Sequence, residues 1–447
     1  MADAAGREFG KMANRRSQHS EFVSDSTDTT RRNSVASNVY HSNDKQKSQR
    51  IDFVNASSAA NPQPSYPPQD NPPTYINTGE PKRPRLGFRQ RIHHFTWAWF
   101  TFPMSTGGLS LLVFAEPNSF DGLKSIGFLI YILNIIIFAA ATILIATRFF
   151  LYPGELTKSM KHPLEGFFIP TFLISIALII TSTQRYATAS DDSNLLWGIQ
   201  AAFWVYLTVS VLLAIGQYSF AFAVHTYTLE TMMPSWILPI FPIMIIGTFA
   251  SVIARTQPDP SAIPILIAGL TCQGLGFSIA VLMYAHMVGR LMAAGLPNRE
   301  QRPGLFICVG PPAFTALALI GMADSLPKSI SNTDTLFLDT GTIRTMAILS
   351  AIFLWALSFW WFGIAFIAVI QAPPEFFHLS WWAMVFPNTG FILATISIST
   401  EIGSVGISWL ATGMSVVLLL AFLFILYHLI RAVIVQEIIY PGRDEDV

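Results

Sequence analysis

Ten stretches without a single charged residue constrain this chain more than anything else in it. They run 95–115, 125–147, 166–184, 193–224, 231–254, 260–289, 303–323, 345–374, 376–400 and 402–430. A helix crosses a hydrocarbon core of ~30 Å in about 20 residues, which each stretch supplies or nearly supplies. Membrane-spanning strands do not fit, because they need only about 10 residues of alternating polarity. The sequence therefore predicts an all-α integral membrane protein of ten transmembrane helices. Composition agrees: 52% of the 447 residues are hydrophobic and 12% are charged, about half the charge of a soluble domain. That composition argues against an ordinary water-soluble enzyme.

Residues 1–94 differ from the rest. They are rich in Ser, Asn, Gln, Asp and Pro, lack any apolar run before Phe95, and hold 14 Lys and Arg against 9 Asp and Glu. Such a segment cannot bury a core and reads as a disordered tail without a signal peptide. The expected organisation is a tail over 1–94, a ten-helix domain over 95–431 and a short second tail over 432–447. Ten spans put both ends on one face. With the tail cytoplasmic, that face also receives Arg148, Lys158, Lys161, Arg290, Arg299, Arg302, Arg431 and Arg443. The other face receives Lys124, Arg185, Arg255, Lys328 and Arg344. The positive-inside bias thus predicts both termini in the cytoplasm; the expected setting is a multi-pass protein of the plasma membrane. Trp97, Trp99, Trp236, Trp381 and Trp382 are placed as an aromatic belt at the inner interface.

Interior prolines alternate along the chain. Pro103, Pro170, Pro239 with Pro242, Pro311 with Pro312, and Pro387 fall in the first, third, fifth, seventh and ninth segments. The even segments have none except Pro264 near the start of the sixth. Proline removes a backbone hydrogen bond and kinks a helix, and freed backbone groups are tolerated only in protein or beside a water-filled cavity. The pattern predicts five helical hairpins whose odd members are kinked and line a central pore. Each restarted odd helix points its positive dipole end at the break. With hydroxyls and no acidic side chain mid-span, that arrangement suits a permeating anion.

The residues after the breaks are the candidate path: Ser105, Thr106, Gly107 with Gly108, Thr248, Pro312, Thr315, Asn388 and Thr389. The hydroxyls and the Asn388 amide either bind a carboxylate or satisfy backbone groups freed by proline. The glycines either admit an anion to the backbone or let two helices pack closely. Arg185 and Arg255 end the third and fifth helices; they either collect dicarboxylate at an outer mouth or anchor the helices at the headgroups. Glu116, Asp324 and Glu401 reach the same level. His225, with Glu230 in the loop between helices 4 and 5, is either a proton-coupling residue or part of a plain loop pair. The isolated His93-His94 pair and the apolar surroundings of Cys272 and Cys308 predict no metal site, and no cofactor is expected. No nucleotide-binding glycine loop precedes a lysine, and nothing points to nucleic acid.

The tail carries two short motifs. Pro72-Pro73-Thr74-Tyr75 fits a WW-domain ligand and suggests a WW-bearing ubiquitin ligase as partner, with Lys45, Lys47 and Lys82 as acceptors. Arg31-Arg32-Asn33-Ser34 fits a basic-directed kinase site at Ser34.

Several segments together carry a resemblance. They are His94–Phe100 followed by Met104–Gly108, Ser235–Pro242, Gln273–Phe277, Arg302–Phe306 with Val309–Phe314, Phe386-Pro387-Asn388, and Tyr440–Asp446. In these the chain resembles the fungal malate permeases of the tellurite-resistance/dicarboxylate transporter family, which also holds plant slow anion channels and fungal sulfite pumps. The resemblance covers about residues 90–446. It implies a homotrimer whose protomers each have a pore of five inner helices occluded by a phenylalanine, matched here by Phe386. It also implies transport of C4-dicarboxylates, malate first, with succinate and fumarate as further substrates; proton symport and uniport are both open, so protons are a partner only in the first case. A gated small-anion channel or sulfite exporter on the same scaffold is the alternative. A non-transporting scaffold that works through its tail is a third.

Overall fold

The computed structural model describes residues 86–186, 193–327 and 339–441. The tail motifs at Ser34, Pro72, Pro73 and Tyr75, and residues Lys328 and Arg443, lie outside them. Among the described residues ten helices are long and apolar enough to cross a membrane, and there is no strand. The protein is a multi-pass, all-α membrane protein.

Odd and even spans are built differently. The even ones are single α-helices: span 2 Leu123–Leu151, span 4 Ser193–Val224, span 6 Asp259–Ala294, span 8 Thr340–Gln371 and span 10 Val405–Val435. Each odd span opens as a short 3₁₀ segment and then turns α. Trp97–Phe100 leads into Thr101–Ala115 in span 1, and Glu165–Phe168 into Ile169–Tyr186 in span 3. Pro234–Ile240 leads into Phe241–Ile253 in span 5, and Arg299–Val309 into Gly310–Asp324 in span 7. Leu379–Met384 leads into Phe386–Ile402 in span 9. Pro170, Pro242, Pro311 with Pro312, and Pro387 fall within the first turn of the restarted α-helix. A missing N–H costs least there, and the fixed φ already suits the helix.

The odd spans form the inside. Between 61% and 94% of their most apolar window is buried, against 22–39% for the even spans. Spans 1, 3, 5, 7 and 9 contact one another in that order, and span 9 returns to span 1, closing a ring of five. Each even span lies against the odd span next to it in sequence.

Side chains of the even spans satisfy carbonyls at the breaks. Tyr218 donates to the Trp236 carbonyl at 2.8 Å, Tyr206 to that of Pro242 at 3.2 Å and Tyr284 to that of Cys308 at 2.7 Å. All three carbonyls belong to spans 5 and 7. In span 1, Thr101 donates to the Ala98 carbonyl at 2.6 Å, and Ser105 reaches across to that of Trp382 at 3.3 Å.

Helical structure begins before the first charge-free segment. The short helix Phe88–His93 is tied to the ends of two spans. Arg91 Nη2 donates to the Val433 carbonyl at 2.8 Å, and the Tyr152 hydroxyl donates to that of Arg89 at 2.9 Å. Beneath it, Arg148 of span 2 and Glu165 of span 3 form a buried ion pair at 2.6 Å, and Arg148 also donates to the Phe95 carbonyl at 2.9 Å. The membrane face that carries these groups is called the near face below, and the opposite one the distal face.

Spans 5 and 6 touch backbone to backbone. A Cβ on Gly276 would lie 2.8 Å from Met244 Cα and 3.0 Å from its nitrogen, whereas a Cβ on Gly274 would meet nothing within 4 Å. Gly276→Val is therefore expected to cost about 1–3 kcal/mol. In detergent it should melt several degrees below wild type, with Gly274→Val unchanged; equal melting of the two variants would contradict this packing.

Candidate functional site

Two cavities lie along the axis of the ring, and both end on one side chain. The near-face cavity, about 80 Å³, is lined by the near-face parts of the odd spans, among them Thr101, Ser235, Gln301 and Ser380. The distal cavity, about 280 Å³, is lined by the far halves of the same spans and has room for several waters or a small organic anion. Phe386 borders both.

Phe386 is the first residue of the α-helix in span 9 and is 2% exposed. Its ring stacks on Phe314 of span 7 at 5.0 Å and 25°, and lies 6.3 Å from Phe241 of span 5. Phe241 and Phe314 are 6.3 Å apart, edge to face. Each ring sits on a glycine of the next span in the ring. A Cβ on Gly310 would lie 2.6 Å from Phe241 Cζ, one on Gly390 2.7 Å from the Phe314 ring, and one on Gly108 3.2 Å from Phe386 Cδ2. Side chains larger than hydrogen at these positions would push the rings out of register.

The path between its ends is neutral. Among the described residues no charged side chain lines the near-face cavity, and those of the distal cavity stand at the far ends of the odd spans: Arg185, Arg255, Asp324 and Glu401. Arg344 of span 8 closes this mouth. Its guanidinium lies 3.0 Å from Asp324 Oδ1 and grips both Glu401 oxygens at 2.8 and 3.0 Å. Arg255 is more loosely held, 3.8 Å from Asp324 Oδ2, with Nε donating to Ser325 Oγ at 3.1 Å. Arg185 lies over the Phe114 ring at 5.5 Å and pairs with no carboxylate among the described residues.

The expected path residues divide into groups. Thr248, Gly108 and Thr389 line the distal cavity. At rest Thr248 donates to the Ile245 carbonyl at 2.8 Å and Thr389 to that of Phe386 at 2.6 Å. Both hydroxyls must rotate before they can donate to an anion. Ser105, Thr106, Gly107, Pro312, Thr315 and Asn388 border neither cavity. Thr106 donates to the Phe102 carbonyl at 3.0 Å, Thr315 to that of Pro311 at 2.7 Å, and Asn388 to that of Met384 at 2.8 Å. Pro312 sits buried in the first turn of span 7, and Gly107 packs beside Asn134 and Leu178.

Other candidates lie away from the axis. His225 pairs through Nε2 with the Lys161 carbonyl at 2.9 Å and borders an apolar groove between spans 4 and 6 on the outside of the ring. The Glu230 carbonyl accepts from Arg290 at 3.2 Å. Glu116 is turned toward span 10, where Thr412 donates to it. Among the described residues no three His, Cys, Asp or Glu come together as a metal site, and both cysteines are buried and free.

Three features were not anticipated from the sequence: Phe241 and Phe314 beside Phe386, the Arg344 bridge, and Gln273. The Phe-Pro pair shared by Phe241-Pro242 and Phe386-Pro387 was a usable signal for the first. Gln273 of span 6 reaches into the ring and donates to Thr315 Oγ1 at 2.7 Å.

Comparison with known proteins follows this geometry. A family described as voltage-dependent anion channel matches residues 94–430, the whole ring and its outer helices. The chain belongs to that family. It is 36% identical over 372 residues to a malic acid transport protein of Schizosaccharomyces pombe, covering 82% of this chain and 84% of that one. A putative malic acid transport protein of the same organism is 33% identical over 371 residues, covering 81% and 85%. A sulfite efflux pump of Arthroderma benhamiae is 26% identical over 331 residues, covering 73% and 87%. The family match spans all the segments that carry the resemblance to malate permeases except Tyr440–Asp446.

The two cavities can be probed with thiol reagents. With Cys272 and Cys308 replaced by serine, Thr248→Cys should react with an impermeant reagent from the distal face only, and Gln301→Cys from the near face only. Adding Phe386→Ala should open each to a small reagent from both faces; unchanged sidedness would show that Phe386 does not separate them.

Proposed function

We propose that the chain carries C4-dicarboxylates across the plasma membrane, malate first, with succinate and fumarate as further substrates. The near face is cytoplasmic in this reading, and Phe386 is the pore gate. The observation that carries it is the pair of cavities ending on Phe386, joined by a neutral path whose mouth holds three arginines against two carboxylates. Two malic acid transport relatives at 36% and 33% identity support the substrate. Full burial of a dianion in a neutral path costs far more than burial of a singly charged acid. The path therefore favours malate that has taken up one proton. No enzymatic activity forms part of this reading, in keeping with the family.

Arg185 and Arg255 are the anion-collecting pair, supported by Arg185 having no carboxylate partner among the described residues and by the length of the Arg255–Asp324 contact. Thr248 and Thr389 are the hydroxyl donors nearest the gate. A homotrimer with one path per protomer, a WW-bearing ubiquitin ligase on Pro72-Pro73-Thr74-Tyr75 and phosphorylation at Ser34 complete the proposal and rest on sequence alone. Export of sulfite or of another small anion is the second reading, favoured by the sulfite efflux relative at 26% identity.

Flux in proteoliposomes separates the two. Malate uptake should saturate with concentration and rise in Phe386→Ala. Movement of sulfite or chloride without malate would overturn the dicarboxylate reading, and equal flux in Phe386→Ala would overturn the gate. Arg185→Ala should raise the KM for malate about fivefold, equivalent to about 1 kcal/mol. The effect should shrink at high salt, since solvent-accessible charge is screened.

A further inference from the structure

The distal mouth holds two carboxyl groups that collecting an anion does not call for. Asp324 ends span 7 and Glu401 stands near the end of span 9, and both border the distal cavity. Their carboxyls meet on one nitrogen, Arg344 Nη2, which lies 3.0 Å from Asp324 Oδ1 and 3.0 Å from Glu401 Oε1. A single guanidinium, Arg344, serves both. The remaining charged groups on this cavity are Arg255 of span 5, at 3.8 Å from Asp324, and Arg185 of span 3. Glu116 of span 1 is engaged by Thr412, and Lys124 of span 2 lies over Phe114 at 5.8 Å; neither borders the cavity.

The charge balance of this arrangement changes when an anion arrives. At rest three arginines face two carboxylates. That surplus of cation offsets the repulsion between two carboxylates so close together. A dianion seated between Arg185 and Arg255 draws Arg255 away from Asp324, the longest contact in the network. Asp324 and Glu401 are then left sharing Arg344 with two further negative charges beside them, and a proton held between them relieves the repulsion. Binding of the dianion and binding of the proton therefore favour each other, and the coupling is reciprocal.

We propose that Asp324 and Glu401 form the proton-binding site that couples proton uptake to dicarboxylate entry, one proton for each dianion. The inference rests on the dicarboxylate reading above and adds the coupling site to it. The proton comes from solution on the distal side and is held by the carboxyl pair. It then passes to a substrate carboxylate: the O–H bond on the pair breaks and one on the substrate forms. The substrate leaves past Phe386 with a single negative charge. The pair returns to its ionised state, with Arg255 back beside Asp324.

The test uses the full chain in liposomes holding a trapped pH dye, with radiolabelled malate outside. Wild-type uptake should rise several-fold under an inward proton gradient, with acidification of the interior. In Asp324→Asn combined with Glu401→Gln, the ratio of uptake with and without the gradient should fall to about one, because the coupling is then lost. His225→Ala should keep the wild-type ratio. A double variant with the wild-type ratio, or wild-type malate uptake indifferent to the gradient, overturns the proton site and leaves the dicarboxylate reading standing. Absence of malate flux in folded wild type overturns both. A second measurement needs no variant. Wild type in detergent at pH 7 and weak buffering should take up protons when malate is added and none when chloride is added. No uptake with malate overturns the site.

Discussion

A helix broken at membrane depth leaves carbonyls that lipid cannot satisfy, and five of the ten spans among the described residues are broken, turning from 3₁₀ to α. The remaining architecture answers that requirement. The broken helices are gathered into a ring, where the breaks are surrounded by protein, and the five intact helices shield them from lipid. The shield also takes part chemically. Tyr206 and Tyr218 of span 4 and Tyr284 of span 6 cap carbonyls of spans 5 and 7. Within the ring, threonines, Ser105 and Asn388 cap others. A tyrosine lost from an outer helix would therefore be felt at the axis, a helix away.

Charge is segregated for a related reason. Ionised groups gather at the ends of the spans, where water can reach them: Arg148 with Glu165 and Glu155 at the near face, and the arginine–carboxylate network at the distal face. Outside the spans, Glu155 accepts from Lys158 at 2.9 Å, which holds its carboxyl below the usual range, helped by His93 and Arg148 and opposed by partial burial. Stability from this contact is present at neutral pH and is lost as acid protonates the group. Between the two charged ends the described lining of the axis is uncharged: aromatic rings, aliphatic side chains, hydroxyls and the Gln301 amide.

How much of this could be read from the chain depended on whether the signal was local. Ten charge-free runs and the alternation of proline are properties of single segments, and both are visible in the ring and its shield. Pro242, Pro311 and Pro387 mark where their helices restart because each acts on its own backbone. The aromatic cluster was not legible, because Phe241, Phe314 and Phe386 are joined only by the order in which the spans pack. Arg344 escaped for a similar reason. It belongs to an even span, and the charge reading of the mouth had followed the odd ones. Residues chosen for following a proline split according to helix rotation, which sequence spacing alone does not set: Thr389 borders the distal cavity, while Asn388 beside it caps a carbonyl.

The unequal cavities on either side of Phe386 carry a further consequence. A ring that leaves its seat between Phe314 and Gly108 needs free volume, and about 280 Å³ lies on the distal side against about 80 Å³ on the near side. Under the proposed reading, an anion arriving from the near face pushes the ring toward open space. One arriving from the distal side occupies the volume into which the ring must turn. Equilibrium is indifferent to such an asymmetry, but rates are not. The path then works as a leaky one-way valve, whose conductance depends on which side is loaded first.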